Sequence, residues 1–189
     1  MIGLTGPNAA GKGEVARCLA DGGFSVHSLS DVVREEARRR GLGVDRETLI
    51  RIGRELRREG GPGVLAERML PRLGERDVVD SIRHPAEVLL LRQRTDFHLL
   101  GIDAPIELRW QRAHRRGRPG DRVDLETFSR QEQQENQDRP ESQQLMRALA
   151  LCDVVLRNEQ CLETLRRRLR SVVEIWSSAP PLAPRNRVS

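Results

Sequence analysis

"GPNAAGKGE", Gly6 to Glu14, follows directly on the apolar run "MIGLT" that opens the chain. It has the pattern G-x-x-x-x-G-K, in which the backbone N–H groups of a glycine-bounded loop converge on phosphate oxygens and the lysine adds a point charge. Gly6 and Gly11 allow conformations that a Cβ would forbid. The helix that follows turns its positive end towards the same anion. The Ser or Thr that normally comes next, whose hydroxyl ligates magnesium, is missing: Lys12 is followed by Gly13 and Glu14. A strand, this loop and a helix are the context the pattern requires, and that context decides the fold class.

Of the 33 lysine and arginine residues, Lys12 is the single lysine. A background preference for arginine leaves lysine where a compact ammonium is needed and a planar guanidinium fits poorly. The position of that one lysine is stronger evidence than the loop pattern alone.

Composition bounds the rest. The chain has 189 residues, 37% apolar and 32% charged, which suits one folded domain with a lean core and an ionic surface. No apolar run approaches the ~18–20 residues of a membrane span, and "MIGLTG" lacks the basic start of a signal peptide. Three cysteines with no metal-ligand spacing fit a reducing compartment, so a cytoplasmic chain with no membrane contact is expected. The net charge of +5 calls for an anionic partner. Nucleic acid is disfavoured. Aromatics are 3% with no tyrosine, so stacking platforms are scarce, and runs such as "REEARRRG" interleave arginine with glutamate, as on salt-bridged helix faces.

Strand-like and helix-like stretches alternate, the pattern of an α/β fold. Strands are predicted at 1–5, 24–28, 76–82, 97–105 and 152–158. Helices are predicted at 12–23, 30–41, 45–61, 63–74, 85–94, 105–117 and 162–176, with Asp45 as a cap and Pro71 as a kink or stop. Segments 28–73 and about 115–142 read as too polar for the core. The domain is expected over 1–176, with a Pro-rich, disordered tail over 177–189.

The loop's G-K-G form resembles that of the adenylate kinase family, which writes G-x-x-x-x-G-K-G-T; Glu14 stands where the threonine would be. "HSLSDVVREE" is similar to that family's S-x-G-D-hydrophobic-hydrophobic-R segment. The resemblance implies that Asp31 and Arg34, with Ser30 in place of glycine, hold a monophosphate acceptor. In "VVDSIRHPAEV", Asp80 ends a strand at the edge where α/β sheets build their sites, which makes it the candidate magnesium ligand. The family pattern gives Arg83 a role in reaching the acceptor. "RWQRAHRRGRPGDR" resembles the arginine-rich lid of nucleoside monophosphate kinases, with Arg112 and Arg116 at matching positions and Arg109, Arg118 and Arg122 beside them. "CDVVLRNEQ" is similar to the segment that packs against adenine, which contains Asn158.

Over about 1–170 the chain resembles P-loop proteins similar to adenylate and dephospho-coenzyme A kinases, and a domain fused in front of some deoxycytidylate deaminases. The resemblance implies a three-layer P-loop sandwich with a five-stranded parallel sheet in the order 2-3-1-4-5. It also implies a helical acceptor-binding insertion over 28–73 and a lid over 115–142. ATP and Mg2+ would be the cofactors. Gly6, Asn8, Ala9, Ala10, Gly11, Lys12, Gly13, Glu14 and Asn158 would bind ATP, and Lys12, Asp80, Arg112, Arg116 and Arg118 would be catalytic. Nucleotides would be the substrates of a monomer or homodimer.

The first reading is phosphoryl transfer from ATP to a nucleoside or deoxynucleoside monophosphate. The second is phosphorylation of a hydroxyl, as in dephospho-coenzyme A, with Asp31 as base. A third, non-catalytic class is a nucleotide-binding sensor. Glu14 motivates it, because a carboxylate beside phosphates repels them unless it turns away or serves the metal through water.

Overall fold

Alternation along β1 (Ile2–Thr5) sets up the layers. Ile2 and Leu4 pack on one side with Val15 and Leu19, and Thr5 on the other donates to the Ile82 carbonyl at 2.8 Å. Gly3 lies on Thr5's side, where an added Cβ would sit 2.6 Å from the buried Phe97 ring. Glycine there admits the largest side chain of the second core.

The computed structural model describes residues 1–178. β1 is joined by β2 (Ser25–Ser28), β3 (Asp77–Ile82), β4 (His98–Asp103) and β5 (Val154–Arg157). All pairings are parallel and the order is β2-β3-β1-β4-β5, as expected. The helices are α1 (Lys12–Asp21), α2 (Leu29–Arg39), α3 (Arg46–Gly60), α4 (Val64–Met69), α5 (Pro85–Leu91), α6 (Ile106–Arg116), α7 (Leu125–Glu135), α8 (Leu145–Leu149) and α9 (Leu162–Ser178). α1 and α9 cover one face of the sheet through Val15, Leu19, Leu165 and Leu169; α2 to α5 and α8 cover the other. The result is an α/β three-layer sandwich. Among the described residues no helix is long and apolar enough to cross a membrane.

Three expectations are corrected. Segment 28–73 is not too polar for the core: Leu29, Val32, Val33, Ile52, Leu56, Leu65 and Met69 are buried in the larger cluster. Its charge density hides an apolar stripe at helical spacing, while outer groups pair among themselves, as Arg72 does with both Glu35 oxygens at 2.9 and 3.0 Å. Segment 115–142 holds a helix, α7, capped by Asp124, which accepts from the Thr127 N–H at 2.7 Å, and anchored by the buried Phe128. The helix predicted over 162–176 also runs further, because α9 continues through Ser178; the rest of the expected tail lies outside the described residues.

Two local features aim the sheet's carboxyl edge. β3 is irregular where it pairs with β1: Gly3 lies opposite Val79 but Thr5 opposite Ile82, so an extra residue is absorbed around Asp80 and Ser81, and Ser81 has φ 65°. Just beyond, the fully buried Glu87 ties three elements together. One carboxylate oxygen accepts from Arg57 of α3 at 2.9 Å; the other accepts from the backbone N–H groups of Arg83 and His84 at 2.8 and 3.0 Å. His84 completes a capping box by accepting from the Ala86 N–H at 3.1 Å.

Removing one partner of a buried ion pair strands the other charge. Glu87→Ala is therefore expected to lower the unfolding free energy by roughly 3–5 kcal/mol in a urea titration. Asp138→Ala, which breaks the exposed pair with Arg147, should leave the midpoint unchanged.

Candidate active site

The loop between β1 and α1 is held in its shape by contacts that only glycine permits at two positions. Gly6 has φ 137°, and an added Cβ would lie 2.0 Å from the Ile102 carbonyl oxygen of β4. Gly11 has φ 114°, and an added Cβ would lie 2.3 Å from Asn158 Nδ2. Asn158 donates through that nitrogen to the Ala10 carbonyl at 2.8 Å, and its backbone N–H donates to Asp103 at 2.7 Å. It is thus placed as a brace between the loop, β4 and β5. Ala9 adds a left-handed residue at φ 59°. Gly13 differs from its neighbours: an added Cβ meets nothing within 4 Å.

Lys12 is folded over this loop, donating to the carbonyls of Gly6 at 2.6 Å and Pro7 at 2.8 Å. The residue is partly exposed, but burial around its ammonium, reinforced by Arg83 and Arg109, pushes it down to about 7 against the pull of Asp80 and Glu132. The structure thereby brings Lys12 of the loop together with Asp80 and Arg83 from the end of β3 and the turn that follows it. Asp80 Oδ1 accepts from the Ser81 N–H at 2.6 Å. Arg83 donates to Gln143 Oε1 at 2.9 Å.

Two further charges at Lys12 come from Arg109, read from the sequence as lying beside the lid arginines, and from Glu132, which the sequence did not single out. Arg109 is buried: it donates to Ala104 at 2.9 Å and to Asn8 at 3.4 Å, both backbone oxygens, and to Glu132 Oε1 of α7 at 2.5 Å. Its guanidinium lies over the Phe128 ring, 5.9 Å from the centroid. Arg109 therefore joins α6, the loop and α7. Nothing in the spacing of "RQEQQEN" marks Glu132 for this place; only the packing of α7 does.

The remaining candidates fall elsewhere. Arg116 grips Asp121 through two bonds of 2.9 Å and reaches Asn8 Oδ1 at 3.2 Å, so it faces the loop's flank. Arg118 meets Asp121 through its backbone N–H, and its side chain is exposed. Arg112 donates to the Asn158 carbonyl at 2.9 Å, and its buried Nη1 has no hydrogen-bond partner. Asp31 and Arg34 pair with each other at 2.6 Å on the exposed side of α2, and the Ser30 N–H donates to the Ser28 cap. Glu14 is paired with Arg17 and lies 3.8 Å from Arg166 of α9.

For magnesium, the described residues offer no cluster of three His, Cys, Asp or Glu groups. A single carboxylate beside a phosphate loop nonetheless suits the ion, which keeps several waters and shares the substrate's phosphate oxygens. Asp80 fits that demand.

No protein-family model matches the chain. It is 33% identical to a UPF0200/UPF0201 protein of Archaeoglobus fulgidus over 92% of its own length, but it spans only about half (54%) of that protein. A solved shikimate kinase from Acinetobacter baumannii, in complex with shikimate, superposes with a TM-score of 0.54 at 18% identity, covering 94% of each chain. The dephospho-CoA kinase from Campylobacter jejuni superposes at 0.51 and 15% identity, over 94% of this chain and 97% of that one. These two likenesses show a shared fold, that of P-loop kinases. A UPF0200 protein of Methanosarcina mazei is 31% identical over 95% of this chain and 96% of its own length, and the chain belongs to the UPF0200 family.

Proposed function

We propose that this protein transfers the γ-phosphoryl group of ATP to a small phosphorylated acceptor, a nucleoside or deoxynucleoside monophosphate. The observation that carries the reading is Lys12: the sole lysine of the chain lies in a glycine-constrained phosphate loop, within the fields of Asp80 and Arg83. Phosphoryl transfer asks a protein mainly to position two phosphates and to neutralise charge on the moving group. The loop N–H groups and Lys12 would take the donor's β- and γ-phosphates, and Arg83 would face the acceptor. Magnesium, held through Asp80, would neutralise the phosphate oxygens. An acceptor phosphate oxygen is already anionic, so it attacks the γ-phosphorus without a base, and ADP departs with the bridging oxygen.

The hydroxyl-acceptor reading has weaker support, because its base, Asp31, is engaged by Arg34 on an exposed helix face. The sensor reading rested on Glu14, and the pairing of that carboxylate with Arg17 and Arg166 removes the repulsion that motivated it.

The direct test measures ADP release from ATP and Mg2+ with each ribo- and deoxynucleoside monophosphate and with dephospho-coenzyme A. One monophosphate should stimulate release, and Lys12→Ala should lower kcat/KM by about 10²–10³-fold. Absence of stimulation across the whole panel would sink the proposal.

The loop's glycines should separate by their surroundings. Gly6→Ala and Gly11→Ala are expected to abolish ATP binding measured by calorimetry, since each Cβ would clash with the Ile102 carbonyl or the Asn158 amide. Gly13→Ala should bind ATP within about twofold of the parent, nothing being within reach of its methyl group.

Lys12 also sets a pH dependence. Its charged form binds the polyphosphate, and in the free protein that form is lost as pH rises through about 7. ATP affinity should therefore fall between pH 7 and 9, and Lys12→Ala should flatten the profile. Amine acylation read by peptide mass spectrometry distinguishes the one lysine from the N-terminus. It should give a midpoint near 7 for Lys12, moving upward when ATP and Mg2+ are present. A midpoint above 10 in the free protein would contradict the burial argument.

A further inference from the structure

Next to Lys12, a second cationic pair is occupied by the protein's own carboxylate. Glu135, the last residue of α7, places Oε1 2.7 Å from both Nε and Nη2 of Arg46, the first residue of α3. Its Oε2 lies 4.0 Å from Nη1 of Arg83. The two arginines come from different elements, one on α3 and one in the β3–α5 turn, and the carboxylate bridges the gap between them. Arg83 is also the strongest charged influence on Lys12. Arg83, Glu135 and Arg46 thus form a line of charged neighbours that starts from the group acting on Lys12. Arg83 is positioned along that line by Glu87, through its backbone, and by Gln143.

The contact is built to be exchanged. Arg46 and Arg83 keep 35% and 28% of their side-chain surface in solvent and Glu135 keeps 14%, so an anion can reach the arginines once the glutamate leaves. Solvent around the two arginines weakens the contact, while Glu135 is the better covered partner. The rest of the α7 C-terminal turn is held the same way, by Arg54, which donates to the Gln134 carbonyl at 3.2 Å. By contrast, Arg34 is tied to Asp31 on its own helix and does not join this line.

We propose that Arg46 and Arg83 form the anion subsite of the acceptor, and that Glu135 fills it as a surrogate until substrate arrives. The subsite takes a phosphate monoester or a carboxylate, two oxygens bridging two guanidiniums. Arg46 is then an acceptor-binding residue, and Glu135 is an internal competitor whose release lets α7 move. The inference rests on the phosphoryl-transfer reading only for the identity of the donor beside it.

A built-in fluorophore reports on α7. Trp110 of α6 donates through Nε1 to the Val123 carbonyl at 2.7 Å, just before α7 begins. In a Trp176→Phe background, with Lys12→Ala added so that the phosphate loop does not compete, Trp110 emission is followed while inorganic phosphate, acetate and AMP are titrated separately. Glu135→Gln should tighten the apparent Kd for phosphate by roughly tenfold, because the competent state is no longer masked. Arg46→Gln should weaken it by roughly tenfold. The double exchange Arg46→Glu with Glu135→Arg restores the ion pair but not the subsite, so phosphate binding should stay lost. AMP tracking phosphate assigns a phosphate monoester, and acetate responding instead assigns a carboxylate; either response carries the proposal. Unchanged phosphate and acetate affinities in the single variants, or recovery in the double exchange, would overturn it, since a purely structural pair is rescued by the exchange. Binding of ATP to the chain with Lys12 intact is measured in parallel. Loss of that binding would overturn the donor reading and leave the subsite to be decided by the phosphate series.

Discussion

The close approach of the phosphate loop to the ends of β4 and β5 is the constraint on which the site depends. With the Ile102 carbonyl against Gly6 and the Asn158 amide against Gly11, the loop cannot relax without shifting two strands. That approach exists because β1 lies in the middle of the sheet, with β3 and β4 on its two sides. The same order places Asp80, near the end of β3, and Asp103, the last residue of β4, on the two strands that flank β1, at the carboxyl edge of an open parallel sheet. The topology and the site are one consequence of a single strand order.

A cluster of partly buried cations carries a problem, since its charges repel each other and lose hydration. Here the relief comes from α7. Glu132 meets Arg109, and Glu135 meets Arg46 and Arg83, so each cation around Lys12 has a carboxylate at hand. Lys12 itself has carbonyl oxygens and a lowered affinity for its proton. An arginine-rich chain can hold such a cluster only if its glutamates are placed as carefully as its arginines.

That placement explains which parts of the molecule were legible in the sequence. The strand, loop and helix at the N-terminus, the five strands and the strand order followed from apolar runs, glycine positions and the family pattern. Lys12, Asp80 and Arg83 could be singled out as well, because each lies in the loop or towards the end of β3, where position alone restricts what a residue can meet; the roles read for them stand as proposals. The helices over 28–73 and 115–142 were harder. On a surface this ionic, an amphipathic stripe such as Leu29, Val32, Val33 and Ala37 is diluted by the Arg and Glu beside it. Arg46, Glu132 and Glu135 carried no signal, since in isolation each is one more charge on a charged helix. Asn158 was read as part of an adenine-contacting segment, whereas its side chain braces the Ala10 carbonyl, an arrangement that depends on β5 lying beside β4, a tertiary fact.

The departures at Gly13 and Glu14 belong together. Space is open around Gly13, so packing does not forbid a hydroxyl there. A carboxylate in the first turn of α1 would ordinarily be drawn to the helix's positive end and compete with phosphate for it. Arg17 and Arg166 hold Glu14 instead, one from its own helix and one from α9. The charge of that carboxylate in the first turn of α1 is therefore offset by two guanidiniums. The same carboxylate ties α1 to α9, on the face of the sheet opposite α2 to α5.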